Sequence, residues 1–254
     1  MTIELPSDEL EAYAKGEYFH AQLRMRLARS VPSSARDRWD FLVDAARGKR
    51  VVHVGCLDHE GLVDQKIADG KWLHAELSRV ASDCVGIDVN NSLITHLAER
   101  YGVNNIIFHD LGCGRLPAGL ASQWDVVLVP DVLEHIRAPV AFLESLREAF
   151  SAGACRLVIT VPNAFSYDNF YRTLCREEWI NTDHFAWYSP YTVCKTVIAS
   201  GWRISSVHFL HYNALARTTG IRSLIRNVLL NRRPAFADTL GLICEAANLA
   251  KTQT

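Results

Sequence analysis

The residues best suited to chemistry are Asp131, Glu134 and His135, which close the stretch Trp124-Asp125-Val126-Val127-Leu128-Val129-Pro130-Asp131-Val132-Leu133-Glu134-His135. A run of apolar β-formers stops in a polar cluster and restarts with a helical pattern. In an open α/β sheet, ligands lie beyond the carboxyl ends of the strands. A strand that delivers two carboxylates and an imidazole to that edge predicts one wall of an active site. A second histidine, His184, lies in Asp183-His184-Phe185-Ala186-Trp187-Tyr188-Ser189-Pro190. Histidine titrates near neutral pH, so either imidazole can serve as a general base. The bland alternatives stand beside these roles. Asp131 as a helix N-cap with Glu134 three residues later has capping-box spacing, and a loop histidine can simply be hydrogen-bonded.

The elements that would position these residues follow from pattern. Seven β-rich runs occur at 50–54, 84–87, 105–108, 125–129, 156–161, 202–209 and 240–245. Helical patterns lie between them near 61–81, 91–100, 138–150, 190–200 and 218–230, and segment 8–46 also reads as helical. Strands alternating with helices predict an α/β fold with a mainly parallel sheet. Residues 162–189 form a long aromatic connection, and loops of that length inside a compact domain are usually functional. This divides the chain into an N-terminal helical cap segment (1–47), a ligand-binding core (48–161), a cap segment with its helix (162–200), and final strands with a basic helical insertion (201–254).

Each strand of the first half ends in a residue suited to a ligand. The first ends in Gly55-Cys56, where a glycine permits a sharp turn and close backbone approach. The second ends in Asp88-Val89, whose carboxylate offers two acceptor oxygens to a pair of hydroxyls. The third ends in Asp110-Leu111, the fourth in Pro130-Asp131, and the fifth in Pro162-Asn163. Singly, Gly55 is an ordinary turn glycine, Asp88 a turn or N-cap aspartate, and Asp110 a turn residue before Gly112. A dinucleotide dehydrogenase would need G-x-G-x-x-G and an acid about 20 residues on. Those glycines are missing, and Asp88 follows Gly55 at a longer interval.

The ordered strand ends and the Asp-x-x-Glu-His signature resemble the class I S-adenosylmethionine (SAM)-dependent methyltransferases, over roughly residues 48–210. The resemblance implies a Rossmann-like seven-stranded sheet with its last strand antiparallel, helices on both faces, and a helical and aromatic cap. It implies SAM as cofactor, with Gly55 and Cys56 at the methionine end, Asp88 and Val89 at the ribose, and Asp110 and Leu111 at the adenine. Pro130 and Asp131 would lie beside the reacting methyl. His184, and after it His135, are the expected catalytic bases. The implied reaction is methylation of a small molecule at oxygen, on a natural product or a sugar or glycan precursor. N-methylation and a non-catalytic SAM-binding scaffold are the alternatives. The scaffold alternative is motivated by the first loop, where His53 replaces a common acidic residue and Leu57 and His59 replace the second and third glycines.

The site is expected to work without a metal. The competing arrangement gathers Asp131, Glu134, His135 and His184 as oxygen and imidazole ligands for Mg²⁺ or Zn²⁺, and some ubiquinone-pathway and small-RNA methyltransferases resemble it. Phe165, Tyr167, Phe170, Tyr171, Trp179, Phe185, Trp187 and Tyr188 either line a pocket lid or form a small core beneath the long loop. Arg217, Arg222, Arg226, Arg232 and Arg233 form a basic stretch that either binds an acceptor's anionic group or is a solvated face.

Composition bounds the rest. The chain has 254 residues, 49% hydrophobic and 22% charged, with a formal net charge of -1. That balance gives no global attraction to polyanions, and no RNA-binding module is recognisable, so nucleic acid is not the expected partner. Seven cysteines without a CxxC pair predict reduced thiols rather than a disulfide framework or zinc site. No apolar run is long enough to span a bilayer, and the N-terminus lacks signal-peptide order. The expectation is a soluble, cytoplasmic protein with a small-molecule methyl acceptor.

Overall fold

The computed structural model describes residues 2–4, 6–27, 36–59, 61–111, 120, 124–150, 155–212, 228, 230 and 232–246. Of the helix expected at 218–230, residues 228 and 230 are described and are helical, whereas Arg217, Arg222 and Arg226 lie outside the described residues, as do Gly112 and Cys113. Arg232 and Arg233 are exposed.

The N-terminal segment is less helical than its pattern suggests. β1 (Thr2–Glu4) pairs in parallel with β2 (Arg24–Arg26), around α1 (Asp8–Lys15). A two-residue β3 (Arg36–Asp37) leads into α2 (Arg38–Ala46). Ser7 caps α1 through the Leu10 amide, and Asp37 caps α2 through the Trp39 amide.

The core sheet follows. β4 (Arg50–Val54) connects through α3 (Val63–Ala68) and α4 (Leu73–Val80) to β5 (Asp83–Asp88). One helix was expected over 61–81. Gly70, at φ 65°, breaks it. α5 (Asn91–Tyr101) leads to β6 (Ile106–Phe108), and β7 (Val126–Pro130) leads through α6 (Pro139–Phe150) to β8 (Arg156–Pro162). After α7 (Tyr167–Leu174) and α8 (Pro190–Ala199) come β9 (Trp202–His211) and β10 (Thr239–Ala246). α7 lies within the segment expected to be loop.

Among the described residues the main sheet has eight strands, in the order β3-β9-β10-β8-β7-β4-β5-β6. All seven expected strands are present, and the short β3, parallel to β9, is the eighth. β10 runs antiparallel to both β8 and β9, and the other pairings are parallel. Both faces are covered, which explains the continuous apolar strands. Val127 and Val129 pack on one face with Leu143 and Leu146 of α6 and Val193 and Val197 of α8. Val126 and Leu128 pack on the other with Phe41 and Leu42 of α2 and Leu77 of α4. The sheet order reverses between β4 and β7, and ligands collect at such a switch point. Among the described residues, no helix is long and apolar enough to cross a membrane.

Candidate active site at the carboxyl edge of the sheet

A cavity of 2090 Å³ opens at the ends of β4, β5 and β7. Its wall contains all ten residues expected at the site: Gly55, Cys56, Asp88, Val89, Asp110, Leu111, Pro130, Asp131, His135 and His184. The volume exceeds the ~300–1,000 Å³ of a typical single-ligand site. It leaves room for two bound molecules.

The first turn depends on Gly55. Its φ is 65°, and a Cβ there would collide with the Val132 side chain. The loop behind it, though poor in glycine, is fixed by Asp88. One Asp88 oxygen accepts the Leu57 amide (3.0 Å), and the other accepts those of Val89 (2.8 Å) and Asn90 (3.1 Å). Burial nevertheless raises the Asp88 pKa, opposed by these three donors. Asn90, not Asp88, caps α5. Cys56 is buried with Val63, Trp72 and Leu93, so its backbone faces the cavity's loop while its thiol packs inward. Burial pushes that thiol's pKa well up. Lys66 pairs with Asp58 beside it. Leu111 is buried and Asp110 exposed at the far end of the wall.

The turn after β7 is not the expected capped helix. Leu133–His135 form a single 3-10 turn, the side chain of Val132 makes no capping bond, and α6 begins only at Pro139. Asp131 lies at φ 53°, a strained position for a non-glycine residue. Its side chain turns away from the helix start. Thr160 Oγ1 donates to Oδ1 (2.8 Å), and Arg38 Nη2 pairs with Oδ2 (2.8 Å).

Glu134 is 1% exposed, and among the described residues neither carboxylate oxygen has a hydrogen-bond partner. Burial and the nearby Asp131 carboxylate push its pKa up to about 8. The His135 and His184 rings meet edge-on, 4.6 Å apart, and His184 Nδ1 is also buried without a partner. Burial, with help from His135, lowers the His184 pKa and favours its neutral form. Ligand atoms of Glu134, His135 and His184 lie within 4.8 Å of one another. A neutral His184 imidazole beside His135 and the Glu134 carboxyl group suits proton transfer, and the set equally suits a divalent cation. Sequence reading left a metal out, yet three of the four donors weighed for one converge.

The cap meets this turn through one backbone bond, from Phe185 N–H to Glu134 O (2.8 Å). Segment 162–189 contributes Pro162, Asn181 and His184 to the cavity wall and none of its eight aromatic residues. Tyr167 and Tyr188 are buried, whereas Phe165, Phe170, Trp179 and Phe185 are more than half exposed. Of the two alternatives for these aromatics, a pocket lid and a small core, the described residues show no aromatic lid on the cavity. Sequence reading missed Arg38, Asn181 and Tyr212, which carry no local motif. His53 stands in the sequence only as a departure from the family pattern. That imidazole is buried, with Nδ1 3.2 Å from Nδ1 of His74.

No protein-family model matches the chain. It is 21% identical over 183 residues to the ubiquinone biosynthesis O-methyltransferase of Acinetobacter baylyi, covering 67% of this chain and 70% of that one. It is 23% identical over 182 residues to the enzyme of the same name from Psychrobacter arcticus, covering 67% and 65%. Among solved structures it superposes on magnesium protoporphyrin IX methyltransferase from Synechocystis PCC 6803, crystallised with bound S-adenosylhomocysteine (SAH). That match has TM-score 0.51 and 15% identity, and covers 82% of each chain. A Listeria monocytogenes protein described as an S-adenosylmethionine dependent methyltransferase matches with TM-score 0.51 and 13% identity, over 83% of this chain and 96% of that one. The chain has the fold of the class I SAM-dependent methyltransferases.

Proposed function

We propose that this protein binds SAM and transfers its methyl group to a hydroxyl of a small molecule, a natural product or a sugar or glycan precursor. One observation carries the reading. A single cavity joins the full set of expected cofactor-wall residues to the cluster of buried Glu134 with half-buried His135 and His184. The resemblance to enzymes named as O-methyltransferases supports oxygen over nitrogen.

When bound, SAM supplies a methyl group already activated by a positively charged sulfonium. Gly55 and the Leu57 loop would hold its methionine end, Asp88 its ribose, and Leu111 its adenine. Asp88 does this with a carboxylate already drawn tight by three amides, so the loop and the ribose site are one unit. His184, held neutral by burial, takes the proton from the acceptor hydroxyl. Asn181, beside it on the cavity wall, offers an amide for orienting that acceptor.

A second reading has its own support in the orphaned oxygens of Glu134 and the orphaned Nδ1 of His184. Glu134, His135 and His184 would hold a divalent cation, which lowers the pKa of a coordinated hydroxyl. Buried polar groups are rarely left unpaired, and each such group calls for a ligand, water or ion.

The test is titration with SAH, followed by methyl transfer from SAM to panels of phenols, sugars and amines, with and without chelator. One-to-one SAH binding and methylated hydroxyls support the proposal. Methylation confined to amines would replace it with the nitrogen reading. SAH binding without any transfer would favour a scaffold.

A further inference from the structure

Asp131 stands apart from the three converging donors although it is three residues from Glu134, and the structure shows what holds it. Arg38 Nη2 pairs with Asp131 Oδ2 at 2.8 Å, and Arg38 Nε donates to Thr160 Oγ1 at 3.3 Å. Thr160 Oγ1 in turn donates to Asp131 Oδ1 at 2.8 Å. The three side chains close a ring in which both aspartate oxygens are used. The guanidinium is itself clamped, 5.0 Å from the Tyr212 ring centroid. The Arg38 side chain is only 11% exposed. A paired, largely buried arginine is costly to release, because each partner would be left as an uncompensated charge.

We propose that Arg38 withholds Asp131 from the donor set, so that the cation site consists of Glu134, His135 and His184 with its remaining positions open to the cavity. This rests on the reading of that cluster as a cation site. The chemistry of the set then changes. Two carboxylates beside imidazoles would suit a hard cation such as Mg²⁺, which prefers oxygen. One carboxylate with two imidazoles favours borderline ions such as Zn²⁺, Fe²⁺ or Co²⁺. Three protein ligands with open positions are also what a catalytic rather than a structural metal site provides. Arg38 is thus a positioning residue: it selects the metal by occupying a carboxylate.

The experiment uses full-length protein stripped with chelator and titrated separately with Zn²⁺ and Mg²⁺, with Co²⁺ absorption as a signature of coordination. SAH binding by each variant reports that it is folded. Wild type should take up one Zn²⁺ and bind Mg²⁺ weakly. Glu134→Gln should weaken Zn²⁺ by at least about 100-fold, beyond the usual effect of changing a group that only orients a ligand. Asp131→Asn should leave Zn²⁺ affinity and the Co²⁺ spectrum unchanged. Arg38→Gln should tighten Mg²⁺ by about tenfold, and adding Asp131→Asn to it should abolish that gain.

If Asp131→Asn weakens Zn²⁺ as much as Glu134→Gln, the aspartate already ligates and the role of Arg38 is overturned while the cation site stands. An unchanged Mg²⁺ affinity in Arg38→Gln overturns it too. If wild type binds SAH but no metal, or if metal binding survives Glu134→Gln, the cation reading itself fails and this inference falls with it.

Discussion

Asp88 holds Leu57 across the cofactor loop, accepting its amide at 3.0 Å from the end of the neighbouring strand. That bond replaces the conformational work that glycines do in a glycine-rich loop. Asp88→Ala should therefore remove a ribose acceptor and release the loop together. Hydrogen bonds to a charged group are worth about 1.5–3 kcal/mol each, so SAH affinity should fall by at least about tenfold. Asp88→Asn, which keeps one acceptor oxygen, should be milder. Calorimetric titration checks both, and equal affinity in wild type and the alanine variant would remove the assignment.

Gly55→Ala should be among the most damaging small substitutions in the chain. The added methyl meets Val132, and the φ of 65° would remain strained for alanine. Strain of this kind costs about 1–3 kcal/mol. Pairing it with Val132→Ala should restore part of the lost melting temperature, because the clash goes and the backbone strain stays. Full recovery or none would show that the two contributions are misassigned.

His184→Ala should separate turnover from cofactor binding. A positioned general base contributes about 10²–10⁴-fold, so kcat should fall by that order while SAH affinity changes little. Steady-state kinetics on the acceptor found by screening, with SAH titration beside it, makes the comparison. Undiminished turnover would remove His184 from the chemistry.

The buried pair His53 and His74 predicts loss of stability in acid. Burial holds both below the ordinary histidine range of 6.5, His74 at about 4. Unfolding returns them to it. Between those values the unfolded chain binds the extra protons, so stability falls as pH drops through this window. Each histidine contributes about 1.4 kcal/mol per pH unit, roughly 3 kcal/mol for His74 across the window. Urea midpoints measured from pH 7 to 4.5 should fall steeply in wild type and less steeply in His74→Gln. Parallel slopes would place the acid sensitivity elsewhere.

The sequence shows the scaffold and the candidate cofactor wall more clearly than it shows the candidate reactive cluster, for a physical reason. Strands buried on both faces are uniformly apolar, so β4, β7 and β8 stand out as short runs of valine, isoleucine and leucine. Their ends fall at the sheet edge whatever the tertiary details, which is why all ten expected residues reach one cavity. Asp131 lines the cavity as expected, but it does not cap a helix as the local spacing also allowed. Its actual partners, Arg38 and Thr160, are distant in the chain and leave no local trace. The meeting of His184 with Glu134 depends on the Phe185 backbone bond, which no periodicity encodes. α7 could have been found, since Ser166 accepts the Asn169 amide as an ordinary N-cap. The density of aromatic residues around it drew attention to the pocket instead.

β10 lies between β8 and β9, and its entry segment holds the base of the cap. Asn163 donates its side-chain amide to Ala235 O (2.9 Å) and Ala237 O (2.7 Å), and its backbone amide to Asp238 O (2.9 Å). Among the described strands of the sheet this one comes last in the chain, so the ribosome releases it after the others. Until it arrives, β8 has an unpaired edge and the chain carrying His184 lacks its anchor. A nascent chain at that stage exposes a strand edge prone to pairing with neighbours. Insertion of β10 therefore closes the aggregation hazard and completes the proposed reactive cluster in the same folding event.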